Sequence, residues 1–159
     1  MTLKFIKTLC LFLMCNALLA QTFPYNINKK KFPLGEDFEK ILPLKIGDWK
    51  RYAFHDFVIG NENGTVFYRK EEKQILVSFG KAYSQDNLNS SWMKIYDDVL
   101  SRSKKSKSKI SQASVKNTKY VLMQSNYDQY FAWTRNLYYF SIQTKNKLDA
   151  DDFMKLFPY

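Results

Sequence analysis

The sequence predicts an α+β fold: an antiparallel sheet of about six strands, in the order α-βββ-α-βββ-α, with helices packed on it. Three observations carry this expectation. Short aromatic and β-branched runs recur, separated by polar turns. One long amphipathic stretch divides them into two sets of three. Consecutive strands joined by short turns pair antiparallel. At 159 residues the chain is the length of a single domain.

The elements follow in order. Residues 21–34 hold Pro24 and Pro33 and little periodicity, so they are expected to be extended and to lead into a domain at 35–159. Glu36, Asp37, Phe38, Ile41 and Leu42 suit a short helix: acids at the start, an i, i+3, i+4 apolar stripe, and Pro43 to end it. Lys45-Ile46-Gly47-Asp48 is turn-like. Residues 49–59 form the first strand, and Asn61-Glu62-Asn63-Gly64 is a hairpin turn tolerant of positive φ. Residues 65–69 and 74–81 complete the first meander around Glu71-Glu72-Lys73.

In 88–102, Trp92, Ile95, Tyr96, Val99 and Leu100 share a helical face opposite Asp97 and Asp98. Asn89, Ser90 and Ser91 offer caps. Residues 120–125, 129–135 and 137–144 form the second meander. Phe131 and Trp133 share one face of their strand, and Tyr138, Phe140 and Ile142 share another. Asp149, as N-cap, opens a final short helix carrying Phe153, Leu156 and Phe157, and Pro158 stops it. No residue-level repeat links the two halves.

Residues 1–20, MTLKFIKTLCLFLMCNALLA, read as a secretory signal peptide. Lys4 and Lys7 precede an apolar run of about 18 Å as a helix, well short of the roughly 30 Å hydrocarbon core. Cleavage is expected after Ala20, with a cut after Ala17 as the rival; a retained membrane anchor is the alternative. Bulky Phe12, Leu13 and Met14 before Cys15 argue against a lipoprotein. Both cysteines, Cys10 and Cys15, lie in this leader. The exported chain would hold no thiol, so its stability must come from packing.

The formal charge is +10, and +8 once the leader is removed. Residues 102–109, RSKKSKSK, concentrate it in Arg102, Lys104, Lys105, Lys107 and Lys109, with no acid among them. The repulsion and the serines predict a solvated, mobile basic loop at 102–110. It reads either as an electrostatic handle for an anionic surface or as a soluble loop whose lysines complement a helix dipole. No aromatics interleave with the lysines, which argues against nucleic acid. Lys29-Lys30-Lys31 reads as a flexible basic arm.

Recognisable catalytic chemistry is missing from the sequence. His55 is the lone histidine, and without exported cysteines no His/Cys zinc or copper site is expected. Asp56, its neighbour, points to the opposite face of a strand, away from any Ser-His-acid triad. No G-x-S-x-G, G-x-G-x-x-G or P-loop pattern occurs. Acid pairs Glu71/Glu72, Asp97/Asp98 and Asp151/Asp152 are adjacent and so diverge in direction. Asp149, Asp151 and Asp152 lack calcium-loop spacing. No cofactor or metal is expected.

Aromatics are abundant, at 17% of the chain. Most should be core. On a partly covered sheet face, Tyr68, Tyr130 and Tyr139 could line a groove for an apolar or sugar ligand.

The order signal peptide, meander, amphipathic helix, basic linker, YVLMQSNYDQYFAWTRNLYYFSIQT and terminal helix resembles the PsbP-like exported α/β/α sandwich domains, over roughly 45–157. LPLKIGDWKR at 42–51 is similar to the openings of uncharacterised exported bacterial domains. The resemblance implies an accessory or binding protein of the cell envelope and carries over no site residue. The sequence therefore predicts an exported, non-enzymatic binding protein contacting a protein or anionic envelope component. The predicted contacts are Trp49, Arg51, Arg102, Lys104, Lys105, Lys107 and Lys109. A small-ligand carrier and a toxin-immunity protein are the alternatives. Oligomeric state is not legible.

Overall fold

The computed structural model describes residues 23–27, 29–31, 38–55, 63–115 and 118–159. The predicted leader, part of the 21–34 segment, and residues 56–62 lie outside them. Along the described residues the elements run α1 (Phe38–Ile41), β1 (Lys45–Ile46), β2 (Trp49–His55), β3 (Asn63–Lys70), β4 (Lys73–Lys81), α2 (Gln85–Ser106), β5 (Lys109–Val115), β6 (Thr118–Gln124), β7 (Gln129–Arg135), β8 (Tyr138–Thr144) and α3 (Lys147–Leu156).

The strands form one antiparallel sheet of eight, ordered β1-β2-β3-β4-β8-β7-β6-β5. The predicted α+β class is the observed one, but the sheet exceeds the predicted six strands. β1 is two residues beside Gly47, whose φ of 58° suits a residue without Cβ. Two residues are too few to display a period of two. β5, KISQASV, is a polar edge strand in which Ile110 and Ala113 are only half-buried, so its alternation is faint. The two meanders join where β8 pairs with β4, from Leu76↔Gln143 to Lys81↔Tyr138.

The predicted basic loop is a correction. α2 continues through Ser106, Lys107 caps it, and β5 starts at Lys109. The serines do not break the helix because Ser103 and Ser106 donate to the carbonyls of Leu100 and Arg102, each at 2.9 Å. Lys104 and Lys105 occupy the last turn, where cations oppose the helix dipole. At the other end Ser84, not a later serine, is the N-cap, accepting from the Asn87 amide at 3.2 Å. α3 likewise begins earlier than predicted. Asn146 is its N-cap, accepting from the Leu148 amide at 2.9 Å, and Asp149 lies within the first turn.

One sheet face carries the larger core. Register Phe131↔Ile142 and Trp133↔Phe140 places the β7 and β8 aromatics on the same sheet face, whereas the sequence predicts separate faces. Trp133 stacks on Phe131 (4.9 Å between centroids) and Phe140 (5.3 Å), and Phe157 meets it edge-on. Each such pair contributes about 0.5–1.5 kcal/mol beyond area burial. α3 covers this face through Phe153, and its C-cap residue Phe157 extends the cover, with Tyr68, Val77 and Trp49 beneath.

Phe23, Tyr25 and Ile27 complete the cover. Phe23 lies on Tyr120, and Tyr25 meets Phe131 edge-on while donating to Asp151 at 2.9 Å. Lys29 is not part of a flexible arm: its ammonium donates to the Met154 and Phe157 carbonyls at the α3 C-terminus. Partial burial there lowers its pKa. Lys30 donates its amide to Pro158 O at 3.1 Å.

The second face is covered in part. α2 packs Trp92 and Val99, with Ile95 and Tyr96, on Val121, Met123 and Ala132. Further along this face Tyr52 is exposed and Phe67 and Leu76 are half-buried.

Candidate anion-binding rim

Where α2 stops, Lys107 adopts left-handed backbone (φ 52°) and its amide donates to Ser103 O. The Ser108 amide donates to the same carbonyl at 3.0 Å. This cap reverses the chain into β5 at a cost of about 1 kcal/mol for a residue with a Cβ. It also presents Lys104, Lys105, Lys107 and Lys109 at one end of the sheet, all exposed.

Arg102 takes a different role. Its guanidinium donates to Asp128 at 2.7 Å, lies 3.8 Å from Asp98, and sits 5.1 Å over the Tyr130 ring. Burial raises the Tyr130 pKa, opposed by the nearby Arg102 charge. Arg102 thus ties α2 to the β6–β7 turn. That turn is held internally: Ser125 Oγ accepts from the Tyr127 and Asp128 amides, and the Gln129 side chain donates to Ser125 O.

Between this turn and the α2 cap lies an open cavity of about 570 Å³. Lys107, Lys109 and Lys147 border it, from the cap, from β5 and from the start of α3, together with Tyr127, Gln124 and Gln129. Its described lining contains no carboxylate. Lys147 also pairs with Asp151 at 2.6 Å, outside that lining. Tyr127 is 84% exposed at the turn tip. Three ammonium groups beside amide and phenol donors suit an anionic group.

The structure divides the predicted contacts. Trp49 is wholly buried, donates to Asp152 at 3.2 Å and meets Phe153 edge-on. It offers no surface to a partner, because the apolar ring is held under α3. Arg51 is half-buried and donates to Leu42 O at 2.5 Å, bracing the connection ahead of β1. Arg102 is engaged as described. The four lysines remain together on the surface.

The predicted tyrosine groove is not formed. Tyr68 is wholly buried on the α3 face and donates to Pro43 O at 2.7 Å, whereas Tyr130 and Tyr139 lie on the opposite face. The reason is register: Tyr68 pairs with Ile75, in phase with Val77, Phe140 and Ile142, and one residue out of phase with Tyr139. Tyr139 donates to Asn63 at 3.0 Å, its ring crossing Gly80, where a Cβ would collide with it. A second cavity, about 490 Å³, opens beside Phe67, Leu76, Gln143, Asp128 and Asp149. None of the three tyrosines lines it.

Lys147 and Tyr127 were not among the predicted contacts. Tyr127 lies in a turn legible from Asn126-Tyr127-Asp128. Lys147 is distant from the basic run in sequence, and only the pairing of β6, β7 and β8 brings it near. His55 belongs to β2, and its side chain lies outside the described residues. Among the described residues no group of three or more His, Cys, Asp or Glu could hold a metal. No described helix is long and apolar enough to cross a membrane.

The fold defined here is an α+β protein with one antiparallel sheet and helices on both faces. No protein-family model matches the sequence, and no curated protein matches it. Among solved structures the chain is similar to a GTP binding regulator from Thermotoga maritima, with 18% identity and a TM-score of 0.55, covering 75% of this chain and 82% of that chain. A likeness at that identity concerns the fold alone.

Proposed function

We propose that this chain is an exported, non-enzymatic binding protein of the bacterial cell envelope that docks an anionic partner on the rim where α2 ends. One observation carries the reading: Lys107, Lys109 and Lys147 reach a single cavity from three elements, beside exposed Lys104 and Lys105, with no carboxylate in its described lining. Export rests on the leader at 1–20. The PsbP-like resemblance read over roughly 45–157 supports an accessory role in the envelope.

The test replaces Lys104, Lys105, Lys107 and Lys109 with serine. Near an anionic surface each lysine contributes about 1 kcal/mol. Retention on heparin, and binding to vesicles containing phosphatidylserine, should fall by more than tenfold at low salt, while loss of the helix-dipole contacts of Lys104 and Lys105 lowers the thermal midpoint by only a few degrees and leaves the protein folded. Unchanged retention at low salt rejects the rim.

A carrier of a small ligand is the second reading, favoured by the cavity beside Phe67 and Leu76. Saturable quenching by an apolar or sugar ligand, abolished by Leu76→Arg, would support it.

A further inference from the structure

The two edges of the sheet differ in kind. At one edge β1 is two residues long, and its neighbour β2 is irregular between Arg51 and Ala53. Short and bulged edges resist the addition of another strand. At the other edge β5 runs seven residues in unbroken register with β6, from Lys109↔Gln124 to Val115↔Thr118. Among the described residues β5 pairs with no second strand. It contains no proline and no bulge, and no lysine after its first residue. Ser111, Gln112 and Ser114 are exposed. Beyond Lys109, the described residues show none of the devices that usually blunt an edge.

The same edge begins inside the basic rim. Lys109 is its first residue, Lys107 caps the helix leading into it, and Lys104 and Lys105 lie one turn back. The charge disfavours a second copy of this basic chain as the added strand and favours an acidic one. We propose that β5 binds an extended acidic peptide segment of a partner protein by strand addition, its backbone pairing along Lys109–Val115 and its carboxylates meeting the lysines. This deepens the rim reading and rests on it.

Antiparallel geometry makes the idea sharp. Alternate residues of β5 direct both backbone groups to β6, and the others direct both outward. Of Ser111 and Gln112, adjacent and both exposed, one therefore presents its N–H to solvent. Proline there removes a binding donor and no ladder bond.

The experiment uses two fluorescein-labelled peptides of equal charge: four Glu-Val repeats, which extend readily as a strand, and four Glu-Pro repeats, which lack alternate amides. The Glu-Val peptide should bind at least tenfold more tightly and slow amide exchange within 109–115. Of Ser111→Pro and Gln112→Pro, the one that keeps the wild-type thermal midpoint should lose at least tenfold in Glu-Val affinity while keeping heparin retention. Equal binding of the two peptides, or of neither, with lysine-dependent heparin retention intact, overturns strand addition and leaves the rim standing. Strand addition is overturned equally if every amide of 109–115 is protected in the isolated protein, or if sedimentation shows a dimer that the proline variant dissolves. Heparin retention unchanged by the four-serine variant removes the rim and the strand addition together.

Discussion

The Arg102 guanidinium donates to the Asp128 carboxylate at 2.7 Å, and Gln143 donates to the same carboxylate from β8 at 3.2 Å. This contact joins the end of α2 to the β6–β7 turn and separates Arg102 from its neighbouring lysines. Arg102 is structural, and the lysines carry the exposed charge. Both members of the pair are roughly 70% covered, so Arg102→Ala should cost about 1 kcal/mol, toward the upper end for a surface ion pair. Urea denaturation measures it. Heparin retention should change far less than in the four-serine variant.

Lys107 holds a left-handed conformation that glycine adopts freely. Lys107→Gly is expected to stabilise the fold by up to about 1 kcal/mol, and Lys107→Ala is not, since alanine keeps the Cβ. Thermal or urea midpoints of the two variants decide it. A stabilised Lys107→Gly protein with weaker heparin binding would show that the charge at this cap is retained at the expense of stability.

The buried indoles Trp49 and Trp133 should respond differently to phenylalanine. Trp49 donates to Asp152, whereas Trp133 Nε1 is buried without a hydrogen-bond partner among the described residues. An orphaned buried donor costs about 1–3 kcal/mol, so its removal offsets part of the packing lost in Trp133→Phe. Trp49→Phe loses volume and a charge-assisted bond together. It should be the more destabilising variant, by about 1 kcal/mol in chemical denaturation. Equal losses would mean that the Trp133 donor finds a partner in solution.

Asp152 supplies a pH signature. The Lys70 ammonium donates to it at 2.9 Å and holds its carboxyl below the ordinary range, assisted by the Trp49 indole. A carboxylate whose folded pKa is depressed stabilises the fold above its unfolded pKa, and that contribution disappears as pH falls through the folded value. Stability should therefore decline on the acid side of the usual carboxylate range. Asp152→Asn should lower neutral-pH stability and flatten that acid limb. Urea midpoints measured across the acid range test this, and parallel limbs for wild type and variant would refute it.

Much of the element pattern was legible because it is local. Trp92, Ile95, Tyr96 and Val99 mark a helix without knowledge of what they touch, and QYFAWTR and LYYFSIQT mark strands. The last helix was also readable from its acids and from Phe153 and Leu156, but its Asn146 cap was not. The β5 strand was not, because an edge strand half-covered on its faces needs little hydrophobic alternation. The end of α2 was missed for a related reason: lysines and serines read as mobile until the helix carbonyls and dipole give them partners.

The candidate site was legible only in composition. A basic run announces positive charge, but it cannot say which members are committed to the fold. That division depends on long-range pairs, Arg102 with Asp128 and Trp49 with Asp152. Strand register separated Tyr68 from Tyr139, and sheet order brought Lys147 beside Lys107. Helix and strand periodicity is a property of neighbouring residues, so the bare chain states it. Register, order and burial arise when distant segments exclude water from one another, and those belong to the assembled sheet.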